Sequence, residues 1–150
     1  MLTLSKRILV AIDGSPQSDK AAEEAIRLAA QSGSKLRSYV YAMLVLPSIK
    51  PPSFTDFFPA KPPTEEPDWQ EKRDRLFYVV EKAAKEAGVS CESLVAYGDP
   101  AEELIHFARE KGCDVIVIGS SGKGMVKRTL LGSVSTKVAL HAQCSVYIVR

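Results

Sequence analysis

Paired cysteines are missing from this sequence. Its three, Cys91, Cys113 and Cys144, are odd in number and none stands in a CxxC spacing, so neither a disulfide framework nor a zinc motif is indicated. All three are expected as reduced thiols, mostly buried. An excess of charge is missing too: 20 Lys and Arg stand against 18 Asp and Glu, and no global field draws the chain to nucleic acid or anionic lipid. Any anion site must then be local. Long apolar runs are absent. Met1 to Leu9 holds two basic residues before an apolar run too short for a signal-peptide core or a membrane span, so a cytoplasmic protein is expected. Histidine is scarce, and His106 and His141 have no metal partner near them in sequence, so no metal site built by protein alone is expected. Repeats and domain seams are lacking as well. The 150 residues suffice for one domain with a packed core.

What is present is a regular alternation of elements. Ile8–Ile12 and Val115–Ile118 are short, β-branched apolar runs, as strands buried on both faces are. Val146–Val149 is a third, while Leu36–Leu46 and Ser90–Tyr97 are two more with polar interruptions. Between them run helical stripes: Ala22, Ala25, Ile26 and Ala29; Trp69, Leu76, Val80, Ala83 and Ala87; Ala101, Leu104, Ile105 and Ala108. Ser15-Pro16 and Asp99-Pro100 are helix starts, with a cap residue followed by proline in the first turn, and a fourth helix is expected to begin near Gly132. Strand and helix in alternation predict a single doubly wound, Rossmann-like α/β domain over 1–150. Its parallel sheet of five strands is expected in the order 3-2-1-4-5, with helices on both faces. Pro47 to Pro67 interrupts this economy with seven of the nine prolines and with Phe54, Phe57 and Phe58. It is expected as an irregular loop, either a flexible excursion or a cover for a pocket or partner surface.

In such a sheet, ligands bind beyond the carboxyl ends of the strands where their order reverses, here between strands one and four. Strand one ends at Ala11-Ile12-Asp13-Gly14 and strand four runs into Ile118-Gly119-Ser120-Ser121-Gly122. Gly119 and Gly122 are expected to turn with positive φ and to admit a ligand without Cβ obstruction. Gly132 and Ser133 open the fourth helix, whose unpaired N–H groups and dipole favour an anion. Lys123, Lys127 and Arg128 lie within the loop as possible charge partners of a phosphate. Two better-known phosphate motifs fail. A P-loop ending at Gly122-Lys123 would need glycine where Val117 stands, and a dinucleotide fingerprint from Gly122 and Gly124 would need glycine where Lys127 stands.

Gly119, Gly122, Gly132 and Ser133 fill the pattern G-x2-G-x9-G-[ST], and with it the sequence resembles the universal stress protein family, whose nucleotide-binding members carry that pattern at this place. The resemblance runs from Ile8–Ser15 through Leu131–Val134 to Cys144–Val149. It implies a stress-response or regulatory protein that binds an adenine nucleotide, ATP, with Mg or Mn held through the phosphates, as a switch. It implies that Ala11, Ile12 and Asp13 line the adenine and ribose, that Ile118 and Gly119 flank the ribose, and that Gly122, Gly132, Ser133, Val134 and Ser135 meet the phosphates. Strand two departs from the family's aliphatics and His with Tyr39-Val40-Tyr41-Ala42, which gives Tyr41 the adenine-side place. A homodimer through Ser145–Val149 is implied as well. Two other readings stay open: a slow Mg-dependent ATPase or phosphotransferase in which Asp13 orients metal or water, and a nucleotide-free dimerisation module. No catalytic base or nucleophile stands beside the loop, and neither nucleic acid nor membrane is expected as a partner.

Overall fold

Strand β1, Arg7–Ile12, alternates its side chains between two cores. Ile8, Val10 and Ile12 pack on one side with Ala21, Ala22, Ala25 and Ile26, while Leu9 packs on the other with Ile116, Ile118 and Leu104. Burial on both faces is what a continuous β-branched run requires, and it makes β1 the centre of the sheet. The computed structural model describes residues 6–31, 38–47, 66–121 and 131–150. Gly122, Lys123, Lys127, Arg128 and most of the Pro-rich loop lie outside the described residues.

The other elements follow in alternation: α1 (Pro16–Ala30), β2 (Tyr39–Leu46), α2 (Trp69–Ala87), β3 (Ser90–Tyr97), α3 (Pro100–Lys111), β4 (Val115–Gly119), α4 (Ser133–His141) and β5 (Ser145–Val149). The sheet is parallel throughout, in the order β3-β2-β1-β4-β5, as the sequence predicts. Helices α1 and α2 cover one face, and α3 and α4 cover the other. Helix α1 approaches the sheet on alanines, small enough to leave its first turn close to β4. In α2 the buried stripe is Phe77, Val80 and Ala84. Ala87, read from the sequence as part of it, is exposed because it stands in the last turn, before Gly88 at φ 65° redirects the chain into β3.

The three thiols are free; Cys113 is buried, and Cys91 and Cys144 are partly exposed. Burial pushes the thiols of Cys91 and Cys113 from their ordinary 9.0 up to about 11, with nearby acidic groups adding to it. A thiol protonated more firmly in the folded state contributes stability below its unfolded pKa and loses it as pH rises through the folded value. We expect slow reaction with thiol reagents near neutral pH, and an unfolding midpoint that falls between pH 9 and 11. A Cys91→Ser, Cys113→Ala double variant should flatten that fall in urea titrations; an unchanged slope refutes the assignment. Among the described residues, no helix is long and apolar enough to cross a membrane.

Candidate functional site

From neighbouring positions in the sheet, β1 continues into α1 on one face while β4 leads to α4 on the other. Their carboxyl ends therefore part, leaving a cleft of about 690 Å³. That volume falls within the range of small-molecule sites.

The β1 wall consists of Ala11, Ile12, Asp13, Ser15 and Ser18. Gly14 makes its turn at φ 82°, a conformation side chains disfavour. The turn is held from within. Asp13 Oδ1 accepts the Ser15 N–H at 2.8 Å, Ser18 Oγ accepts the Asp13 N–H at 3.0 Å, and Ser15 Oγ accepts the Ser18 N–H at 3.1 Å, which caps α1. Asp13 thus shapes the turn while its exposed carboxylate borders the cleft. This wall is acidic. Burial, then Glu23 and Asp13, raise the carboxyl pKa of Asp19 in the first turn of α1.

That opposite wall runs through Ile118, Gly119 and Ser121, then from Leu131 to Ser135. Gly132 is the N-cap of α4 and offers no side chain to the helix, whose first turn also carries no acidic residue. The first intrahelical bond is Thr136 N–H to Gly132 C=O, at 3.0 Å. The N–H groups of Ser133, Val134 and Ser135 therefore have no acceptor within the helix, and the dipole adds positive potential there. By contrast, α1 is capped by Ser15 and α3 by Asp99.

Met43 and Val45 of β2 and Pro100 and Leu104 of α3 complete the cleft with an apolar surface. Asp99 Oδ2 accepts the Glu102 N–H at 3.0 Å and an Nζ–H of Lys137 from α4 at 3.2 Å. The Glu102 amide and Lys137 hold the Asp99 carboxyl below its usual range. Lys137 also reaches Glu102 at 3.1 Å; these exposed pairs contribute little stability, but they tie α3 to α4 beside the cleft.

The structure brings Ala11, Ile12, Asp13, Ile118, Gly119, Gly132, Ser133, Val134 and Ser135 together around one space. Tyr41 does not join them. It lies opposite Leu9 in mid-sheet and packs edge-on against Phe107 at 5.1 Å, whereas Met43, level with Ala11, lines the cleft. The β2 side of the cleft is therefore Met43 and Val45. Counting inward from Pro47, where β2 ends, finds them; counting from the tyrosines does not. Ser15, Ser18, Ser121, Leu131, Pro100 and Leu104 also line the cleft without having been marked by the motif.

Gly119 requires a second correction. Its φ is not positive, and its missing side chain makes room for α1: a Cβ there would stand 2.9 Å from the Gln17 Cβ and 3.0 Å from the Gln17 carbonyl carbon. At Gly132 the nearest atoms a Cβ would meet are Ser120 and Ser121 at 3.5 Å and Ser135 at 3.7 Å, which is ordinary contact. Gly119 serves helix packing; Gly132 leaves the entrance to α4 clear.

Solved structures share this architecture over nearly their whole length. A universal stress protein from Archaeoglobus fulgidus, in complex with dAMP, aligns with a TM-score of 0.67 at 19% identity, covering 99% of this chain and 100% of that one. An Arabidopsis thaliana member with AMP bound aligns with a TM-score of 0.64 at 21% identity over 96% and 90% of the two chains. A universal stress protein in complex with cAMP aligns at 0.68 and 23% identity over 97% of each. At these identities the likeness shows the fold. Sequence carries kinship further: universal stress protein YxiE of Bacillus subtilis is 38% identical over 96% of this chain and 98% of its own length. A Methanocaldococcus jannaschii universal stress protein is 32% identical over 98% and 83%. With these relatives, and with the Universal stress protein family matching residues 5–150, the chain belongs to the universal stress protein family.

Proposed function

We propose that this universal stress protein binds an adenine nucleotide in the cleft between β1 and β4, with ATP as its working ligand, and acts as a switch whose signal is occupancy. The observation that carries the reading is the uncapped start of α4: three N–H groups without helical acceptors, behind a glycine, at one end of an apolar cleft. The two ends of the cleft differ in chemistry as the two ends of a nucleotide do. A base fits against Met43, Val45 and Leu104, the ribose fits by Asp13 and Gly119, and the phosphates fit along Gly132–Ser135.

The polar edge of the base has a counterpart in the backbone. Tyr39 N–H donates to Lys6 C=O across the β1 side, and strand alternation turns the backbone of Val45 the same way. The β1 register stops at Ile12 opposite Leu44, so the Val45 peptide projects past the end of β1. The adenine contact that the resemblance gives to Tyr41 falls to Val45 in this reading. Lys123, Lys127 and Arg128 add charge near the phosphates in this reading, and Mg or Mn is carried by the phosphates themselves. Solved neighbours with AMP, dAMP and cAMP support an adenine ligand.

Calorimetric titration with ATP, AMP, cAMP and adenosine tests the proposal. ATP is expected to bind most tightly and adenosine most weakly, because only ATP carries a full phosphate chain to α4. No heat and no thermal shift with any of them at millimolar concentration refutes it. Phosphate release that survives repurification and disappears in Asp13→Ala would instead favour the ATPase reading.

The same proposal includes a homodimer through Ser145–Val149. Strand β5 pairs only with β4, and its other edge is open among the described residues. Val149 C=O points to β4, where it accepts the Ser120 N–H, so the peptides of Val146 and Ile148 face outward as free ladder groups. Sedimentation equilibrium at micromolar protein should give the dimer mass; a monomer mass overturns this part.

A further inference from the structure

The hydroxyl of Ser135 is not free to serve a phosphate. Ser135 is buried, at 2% exposure, and its Oγ–H donates to the carbonyls of Ser120 and Gly132, each at 3.0 Å. A serine hydroxyl has one proton, and here it is used inside the protein. The Ser120 carbonyl also accepts the Gly132 N–H at 2.7 Å, and the Ser120 N–H donates to the Val149 carbonyl at 2.7 Å. Hydrogen bonds on both sides of one residue, Ser120, therefore link the first turn of α4, held at the Ser120 C=O, to the end of β5, held at the Ser120 N–H.

We propose that Ser135 is a positioning residue: it fixes the start of α4 to the Ser120 carbonyl, and through the backbone of Ser120 transmits occupancy of the phosphate end to the open edge strand β5. This rests on the reading that the cleft holds a nucleotide. Both ends of the phosphate loop, at Ser120 and at Gly132, meet on this one hydroxyl. An anion drawn against the N–H groups of Ser133 to Ser135 pulls on the same turn that Ser135 anchors. The strand that feels the pull carries the free ladder groups by which a second chain would pair. Ser133, which is exposed and lines the cleft, is the contrasting case: it takes no part in the series.

Amide hydrogen exchange, read at Ser120 and Gly132, separates the two serines. Ser135→Ala leaves both carbonyls with backbone donors, Gly132 N–H and Thr136 N–H, so the fold is retained. In nucleotide-free protein, Ser135→Ala should speed exchange of both amides by about five- to tenfold, the loss of one hydrogen bond, while Ser133→Ala leaves them unchanged. In calorimetry, Ser135→Ala should weaken ATP by about tenfold and adenosine not at all. Bound ATP should slow exchange of the Ser120 amide in the wild type but not in Ser135→Ala. Unchanged exchange in free Ser135→Ala overturns the pin. Equal weakening of ATP and adenosine reduces Ser135 to a structural serine and overturns the proposal as well. If ATP gives no heat with the wild type, the nucleotide reading and the transmission fail together, and the free-protein exchange still decides the pin.

Discussion

Gly132→Val should weaken ATP binding about a hundredfold or more while leaving the protein folded. Gly132 has φ −65° and ψ 163°, a backbone conformation open to any residue, so the substitution meets no conformational barrier. Its Cβ finds Ser120, Ser121 and Ser135 at 3.5 to 3.7 Å, which neither the backbone nor the core must move to accept. The two methyl groups beyond that Cβ are expected to crowd the cleft wall formed by Ser121 and Ser135, where a phosphate oxygen would approach the N–H groups that have no acceptor within α4. Losing charge-assisted bonds to those groups weakens ATP by about a hundredfold or more. Stability changes by only about 1 kcal/mol, the difference between glycine and a β-branched residue at an N-cap. Calorimetry with ATP and adenosine, together with urea unfolding of the same sample, checks both statements. Equal ATP affinity in Gly132→Val would mean that the phosphates lie elsewhere.

Most of the fold was legible because its signals are local. A strand buried on both faces must be a continuous apolar run, and Ile8–Ile12 and Val115–Ile118 are such runs. Ser15-Pro16 and Asp99-Pro100 state where α1 and α3 begin, and both serve as caps. With four helices between five strands, parallel pairing and chain order give the crevice between β1 and β4, so Asp13 and Gly132 were legible as its two walls. The residues of β2 and α3 were not. Which side chain of a strand stands level with the cleft depends on register against its neighbour, and a register is a relation between distant segments. Two residues separate Tyr41 under Phe107 from Met43 at the cleft, on the same face of the same strand. Hydrophobicity does not distinguish them; where β1 stops does. Pro100 and Leu104 were recognised only as helix positions, because their approach to the cleft comes from the way α3 crosses the sheet.

Gly119 illustrates the converse, a motif residue with a reason unlike that of its neighbours in the pattern, and its substitution has the second large effect. Gly119→Ala should destabilise the whole domain. The added methyl would stand 2.9 Å from the Gln17 Cβ, where something must shift, and 3.0 and 3.1 Å from the Gln17 carbonyl carbon and oxygen, which are tight contacts. The obstacle is largely backbone, in the first turn of a helix that is seated on the sheet by Ala21, Ala22 and Ala25. It cannot rotate aside as a long side chain would. Overpacking of this kind costs about 1–3 kcal/mol, and in a domain of this size each kcal/mol lowers the melting temperature by about 2–4 °C. Nucleotide affinity should fall as a consequence, because Ser15 and Ser18, which shape the Asp13 turn, move with Gln17. Replacing Gln17 by glycine in the same chain relieves the 2.9 Å contact and leaves the two backbone contacts, so it restores only part of the stability. Thermal unfolding of the single and double variants measures each step. A Gly119→Ala protein as stable as the wild type would place α1 farther from β4 than the close passage at Gln17 allows.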